Sequence, residues 1–192
     1  IPAAYPGPPS HVGAIIENVQ RVWLAGNKLP MFYYHIPAVT RVAIPILDIV
    51  NGLADAGIPL AGIKFVEDNL DAFAILQTMY PDMLAYWAPD PKAAAVPFGA
   101  DKFVLAEVYK APFVRAMLRE TLAGNFSGAR YWSSLYDDVA AAEELAAGRD
   151  VEALLNCDVG PPLLPSLAST AAQKEAQAQA LRDMNFFDYV NK

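Results

Sequence analysis

Residues 62–65 read Gly-Ile-Lys-Phe and residues 31–37 read Met-Phe-Tyr-Tyr-His-Ile-Pro, and these two stretches are the strongest strand signals in the sequence. Both belong to short, continuous apolar runs, and a run of this kind predicts a buried strand. Continuous rather than alternating runs are typical of a parallel sheet that has helices on both faces. The chain contains four such runs and a candidate fifth, at Met31–Pro37, Ala61–Val66, Met83–Pro89, Lys102–Tyr109 and Ile1–Tyr5.

Helical patterns separate these runs. Apolar residues recur every three or four positions over residues 12–23, 46–54, 70–76 and 113–122, and Ser10 is the predicted cap of the first helix. Strands that alternate with helices in this way indicate βαβ units and a parallel sheet. The sequence therefore predicts an α/β fold.

The pattern becomes entirely helical after Tyr109. An alanine-rich helix is predicted next, with Trp132, Leu135, Tyr136 and Val139 on one face. A last helix is predicted over Ser169–Tyr189, beyond a Pro-rich joint at Val159–Pro165. Four or five strands cannot close a parallel barrel, which needs eight. An open doubly wound sheet is compatible with the count, although the usual glycine-rich first turn is missing. The pattern alone leaves closure of the sheet open.

Composition excludes several classes of function. The chain has 192 residues, is 55% hydrophobic and 18% charged, and carries a net charge of −7, so nucleic acid is not an expected partner. No apolar run is long enough for a transmembrane helix. Cys157 is the only cysteine, which excludes an intramolecular disulfide and favours a reducing intracellular compartment. No metal-ligand spacing or nucleotide-binding loop occurs, and we predict neither a metal nor a cofactor.

The candidate reactive groups lie where strands end, because parallel α/β folds place their chemistry at the carboxyl ends of strands. Lys64 interrupts an apolar strand, and a desolvated lysine is a good imine-forming nucleophile. Alternatively, the strand end is solvated, or Lys64 pairs with Glu67 or Asp68. Tyr34 lies one βα unit earlier and could relay a proton to such a lysine, or it could simply fill the core.

Four further residues lie at or just beyond the carboxyl ends of predicted strands, and each also has an ordinary structural interpretation. A histidine in the position of His35 is more often structural than a catalytic base, and the simplest interpretation of Trp87 is a packing residue. Asp90 and Glu107 fit solvated loop charges as well as they fit substrate contacts.

Several motifs give the chain a family resemblance. Residues 32–40 (FYYHIPAVT), GIKF with Asn69-Leu70 after it, GAD at Gly99–Asp101 and GPPLLP at Gly160–Pro165 resemble the N-acetylneuraminate lyase and dihydrodipicolinate synthase family of class I, Schiff-base aldolases. The form YYHIP resembles the lyase branch more than the synthase branch. The resemblance extends over nearly all of the chain and corresponds to about the last two thirds of the family fold.

This resemblance implies a (β/α)8 barrel of which the chain supplies about strands 4–8. Residues 1–125 would be the partial barrel and residues 126–192 a C-terminal helical region. The resemblance also implies that Lys64 forms an imine with pyruvate and that Tyr34 relays a proton. The family cleaves sialic acid reversibly to pyruvate and N-acetylmannosamine without a metal or cofactor, and it usually forms tetramers.

The pocket motifs depart from the family pattern. Val66 replaces the usual Thr or Ser, only Asp90 is kept from the motif after the seventh strand, and Glu107 stands within Ala-Glu-Val-Tyr-Lys, where the family has Gly-Ser-Thr-Tyr-Asn. The carboxylate-binding motif on the family's second strand has no counterpart. The candidate substrate-binding residues are thus Asp90, Glu107 and Thr40, in an eroded sugar pocket.

Two functions are compatible with these motifs. The first is a degenerate half-barrel, a pseudoenzyme that serves as a structural or accessory subunit, with other subunits or further copies covering its open edges. The alternative is an active pyruvate-dependent lyase with a Lys64 Schiff base and a pyruvate or sialic acid ligand, if strands 1–3 come from further sequence or another chain. We expect the first.

Overall fold

Three parallel strands form the sheet among residues 7–190, which are the residues described by this computed structural model. They are β1 (Met31–His35), β2 (Leu60–Phe65) and β3 (Leu84–Trp87), in that spatial order. The candidate strand at Ile1–Tyr5 lies outside the described residues. The parallel sheet and the intervening helices confirm the predicted α/β class.

The chain divides into a first unit, Ile1–Val104, and a second unit, Leu105–Lys192. The first unit contains the sheet and its helices. Its helices are α1 (Val12–Ala25), α2 (Pro37–Thr40), α3 (Ile46–Asp55), α4 (Leu70–Met79) and a 3-10 helix at Ala93–Phe98.

One face of the sheet is buried, and the other, called the bare face below, is only partly covered in the part of the chain that the structure describes. Ile63, Phe65 and Trp87 point into a core that they share with residues of α1, α3 and α4. The alternate residues point the opposite way, and of these Phe32 is 51% exposed and Leu84 42% exposed. The expectation that helices cover both faces is therefore wrong for these strands. Their continuous apolar runs combine one face buried by helices with a second, bare face.

The run at Lys102–Tyr109 does not form the predicted strand. Within this run only Phe103 forms a β-bridge, to Trp87. The Trp87 amide donates to the Lys102 carbonyl, and the Trp87 carbonyl accepts from the Val104 amide. Residues Val108–Lys110 instead form a turn of 3-10 helix. The turn brings the buried Lys110 to the carboxylates of Glu107 and Glu143. These ion pairs favour the turn over a strand that continues to Tyr109.

The observed start of α1 and end of β1 differ slightly from the predicted positions. His11, and not Ser10, caps α1, because its Nδ1 accepts a hydrogen bond from the Ala14 amide at 3.2 Å. The first strand ends at His35 and not at Pro37, since proline lacks an amide hydrogen and suits the first turn of a helix, here α2.

The second unit is helical. It contains α5 (Ala111–Leu122), α6 (Phe126–Glu143), α7 (Gly148–Leu154), α8 (Ala171–Asp183) and α9 (Phe186–Val190). The single tail helix predicted over Ser169–Tyr189 is wrong, because Asn185 adopts a left-handed conformation (φ 56°) that separates α8 from α9. The helix α7 has no counterpart in the sequence-based prediction.

Candidate functional site: a tyrosine–lysine row on the bare face of the sheet

A row of three side chains crosses the bare face near the carboxyl ends of the strands. In the register of the sheet, Lys64 on β2 is paired with Tyr34 on β1 and with Tyr86 on β3. All three residues are half-buried. The parallel register thus brings together the two candidate catalytic residues and adds a tyrosine that the sequence reasoning did not single out.

Lys64 contacts the ring of Tyr34. The lysine Nζ lies 4.4 Å from the ring centroid, within the range of a cation–π interaction. An amine in this position is accessible from the bare face and lies directly beside an aromatic hydroxyl-bearing side chain. The geometry suits a lysine that attacks a carbonyl carbon with a tyrosine close enough to take part in proton transfer.

The carboxylates considered as partners for Lys64 are engaged elsewhere. Glu67 Oε2 lies 2.9 Å from His35 Nε2, and Asp68 forms an ion pair with Lys92. Lys64 makes no ion pair within residues 7–190. The hypothesis that Lys64 is paired with Glu67 or Asp68 is therefore wrong, and the alternative of a solvent-accessible strand end fits its half-buried position.

His35 lies on the opposite, buried face of the sheet and is only 3% exposed. Burial lowers the pKa of the His35 imidazole, and the hydrogen bond and charge of Glu67 oppose that shift in part. Burial thus favours the neutral imidazole, whose Nε2–H donates to the Glu67 carboxylate.

Gly62 lies next to this row, two residues before Lys64 on the same face of β2. A Cβ at Gly62 would overlap the ring of Phe32 and the carbonyl oxygen of Leu84. The Phe32 ring lies over this glycine, with its centroid 6.0 Å from that of Tyr86. Aromatic side chains thus surround Lys64 along the bare face.

The other predicted site residues of the first unit lie in local structure. The Thr40 hydroxyl donates to the Ile36 carbonyl at 3.0 Å and accepts from the Val42 amide at 3.3 Å, at the end of α2. Asp90 has an exposed carboxylate, and its backbone carbonyl accepts a 3.4 Å hydrogen bond from Trp87 Nε1, so Trp87 is a packing residue with one polar contact. Both remain predictions as substrate contacts.

Glu107 belongs to a charged cluster in the second unit. Its Oε2 lies 3.4 Å from Lys110 Nζ, and Lys110 also pairs with Glu143. The Tyr109 hydroxyl donates to Glu143, and burial together with this carboxylate raises the pKa of Tyr109. This cluster was not predicted from the sequence, although the Glu107–Lys110 spacing of three residues is a signal for such an ion pair.

Neither a metal site nor a membrane-spanning helix is found in the part of the chain that the structure describes. No group of three or more His, Cys, Asp or Glu side chains among residues 7–190 is arranged to hold a metal ion. No helix in this range is long and apolar enough to cross a membrane.

Solved structures of TIM-barrel aldolases resemble the chain in fold. The N-acetylneuraminate lyase of Proteus mirabilis superposes with a TM-score of 0.81 over 93% of this chain and 62% of its own, at 22% identity. A dihydrodipicolinate synthase from Cyanidioschyzon merolae gives 0.77 over 95% of this chain and 63% of its own, at 24% identity. At these identities the likeness concerns the fold.

Curated proteins that match part of the chain are N-acetylneuraminate lyases. N-acetylneuraminate lyase A of Xenopus laevis is 31% identical over 94 residues, which are 48% of this chain and 30% of that protein. The human N-acetylneuraminate lyase is 36% identical over 56 residues, 29% of this chain and 18% of its own length. No protein-family model matches the chain. The predicted resemblance to the N-acetylneuraminate lyase and dihydrodipicolinate synthase family is confirmed, and the chain spans about a third or less of its curated relatives.

Proposed function

We propose that this chain is a degenerate, N-acetylneuraminate-lyase-like part of a (β/α)8 barrel that serves as a structural or accessory subunit of a larger protein assembly. Residues 1–125 would supply about strands 4–8 of the barrel, and residues 126–192 the helical region that follows. The observation that carries the proposal is the bare face of the sheet, where Phe32 and Leu84 are about half exposed. Parallel sheets are ordinarily covered on both faces, so another protein surface is expected to lie there.

The free edge of the sheet supports the same proposal. Within residues 7–190, β1 pairs only with β2, and its outer side borders an apolar cleft of about 450 Å³ that Val19, Val22 and Phe32 line. An unpaired strand edge next to apolar side chains is a favourable place for another strand or subunit to bind.

Two of the three candidate substrate contacts, Thr40 and Glu107, also favour a structural role. The hydroxyl of Thr40 is used by its own helix end, and the carboxylate of Glu107 is paired with Lys110. A residue that contacts a sugar needs a polar group free to bind it, because a hydrogen bond already made must be broken first. This supports the interpretation that the sugar pocket is degenerate.

A second candidate function is an active pyruvate-dependent lyase, and the Tyr34–Lys64 contact favours it. In this reaction the unprotonated Lys64 amine attacks the ketone carbon of pyruvate, and loss of water gives the imine. Tyr34 would carry the proton between the reacting groups. By the resemblance, the substrate would be N-acetylneuraminate, cleaved to pyruvate and N-acetylmannosamine.

Borohydride trapping separates the two functions. The purified chain is incubated with pyruvate, reduced with borohydride, and analysed by intact mass and peptide mapping, with circular dichroism to verify folding. The structural role predicts a folded chain without a carboxyethyl adduct on Lys64. An adduct that is absent in Lys64→Arg and present in Lys102→Arg would overturn the non-catalytic proposal and support the lyase.

A further inference from the structure

The carboxyl ends of β1 and β2 are joined by a side-chain bond as well as by the sheet. His35 is the last residue of β1, and Glu67 follows β2 by two residues. His35 Nε2 and Glu67 Oε2 are 2.9 Å apart, and the Val66 amide donates to the His35 carbonyl at 2.8 Å. The two strand ends are therefore held by one backbone and one side-chain hydrogen bond.

This bond lies next to the tyrosine–lysine row. His35 directly follows Tyr34, and its register partner Phe65 directly follows Lys64. Because side chains alternate along a strand, His35 points to the buried face while Tyr34 and Lys64 share the bare face. A bond between His35 and Glu67 thus fixes the backbone immediately beyond the Tyr34–Lys64 contact without occupying the bare face.

The end of β1 depends on this bond more than an inner strand would. In the described part of the chain, β1 is an edge strand with β2 as its only neighbour, and it ends before α2 begins at Pro37. An edge strand frays more readily at its end than a strand that is paired on both sides. Movement there would carry the Tyr34 ring away from Lys64.

We propose that His35 and Glu67 are positioning residues whose hydrogen bond holds the ring of Tyr34 against the Nζ of Lys64. The inference concerns the geometry of the row and holds whether or not the row is catalytic. Only its consequence for reaction rate rests on the lyase function proposed above. An ordinary buried histidine would contribute to stability without controlling this contact.

The test is an NMR measurement of Lys64 in the full chain labelled with ¹³C-lysine. The ring current of Tyr34 displaces the Lys64 Cε protons upfield, Lys64→Arg assigns the signal, and Tyr34→Leu defines the undisplaced position. We expect His35→Leu and Glu67→Leu each to lose most of the upfield displacement. His35→Gln and Glu67→Gln should retain it, because each keeps a donor or an acceptor for the bond. His11→Leu is the matched control and should leave the signal unchanged.

A folded Glu67→Leu variant with the full displacement would overturn the proposal. Glu67 is the decisive position if His35→Leu does not fold, since its side chain is about one third exposed and tolerates substitution. If the wild-type chain also traps pyruvate, both leucine variants should slow adduct formation about tenfold or more, and an unchanged rate would contradict the proposal. A wild-type chain that traps nothing counts against the lyase alone, and the chemical shifts still decide the positioning role.

Discussion

The two units each place a lysine over a tyrosine ring, in opposite environments. Lys64 in the first unit lies 4.4 Å from the centroid of Tyr34, and Lys110 in the second unit lies 5.1 Å from that of Tyr136. Lys64 is half-buried on the bare face of the sheet. Lys110 is 4% exposed and lies between two carboxylates.

The difference shows what burial demands of an ammonium group. A buried charge is tolerated only with counter-charges and hydrogen bonds, and Glu107 and Glu143 supply the counter-charges for Lys110. That amine is enclosed by its two counter-charges. Lys64 has an aromatic ring and solvent in place of carboxylates, so its amine is the one that is accessible for chemistry. The more buried lysine is the structural one.

The largest effect is expected for Lys110→Met. The substitution leaves Glu107 and Glu143 without their cation, and breaking a buried ion pair from one side costs about 3 kcal/mol or more. Urea unfolding followed by circular dichroism measures the loss. A cost below about 1 kcal/mol would contradict the comparison, because it would place Lys110 among weak surface pairs.

The next largest effect is expected for Gly62→Ala, which adds a methyl group to the bare face next to Lys64. The added methyl group would overlap the Phe32 ring and the Leu84 carbonyl oxygen, and overpacking of this kind costs about 1–3 kcal/mol. The unfolding free energy from urea titration is the measurement. Gly7→Ala is the control, because a Cβ there meets no atom within 4 Å.

The two units should respond to opposite extremes of pH. The pKa of His35 is lowered in the folded chain, so an unfolded chain binds its proton first as the pH falls through about 6.5. Acidification below that point therefore destabilises the first unit. The pKa of Tyr109 is raised, so stability of the second unit falls as the pH rises above the ordinary tyrosine value of about 10.

Amide hydrogen exchange, which reports the two units separately, is compared across pH for the wild type, His35→Gln and Tyr109→Phe. His35→Gln should reduce the loss of exchange protection at acidic pH in the first unit. Tyr109→Phe should reduce the loss of protection at alkaline pH in the second unit. A loss of protection at acidic pH that survives His35→Gln would show that another group titrates.

The smallest effect is expected for Lys64→Met. It removes a cation–π contact at a half-buried site, which contributes about 0.5–1 kcal/mol, and leaves no carboxylate unpaired. Urea unfolding beside Lys110→Met makes the comparison with the same substitution in both units. Equal costs for the two variants would remove the distinction between an accessible and an enclosed lysine.

Much of the first unit could be predicted from local pattern. The runs around Tyr34 and Lys64 predicted β1 and β2, and the motifs predicted the family resemblance, because both depend on neighbours in the sequence. The fate of residues 102–109 could not be predicted in this way. That run looks apolar enough for a strand, but the ion pairs of Lys110, one of them with the distant Glu143, favour a turn.

The α/β class, the family resemblance and the candidacy of Lys64 and Tyr34 could all be predicted from the amino-acid sequence, since propensity, periodicity and motifs are local properties. Which groups meet depends on the folded chain. The parallel register placed Tyr34 and Tyr86 on either side of Lys64. In the folded chain Glu67 pairs with His35, and Asp68 pairs with Lys92. Folding also separated a buried face from a bare one. Strand pairing and burial depend on residues far apart in the chain, and these fix the environment of each charge.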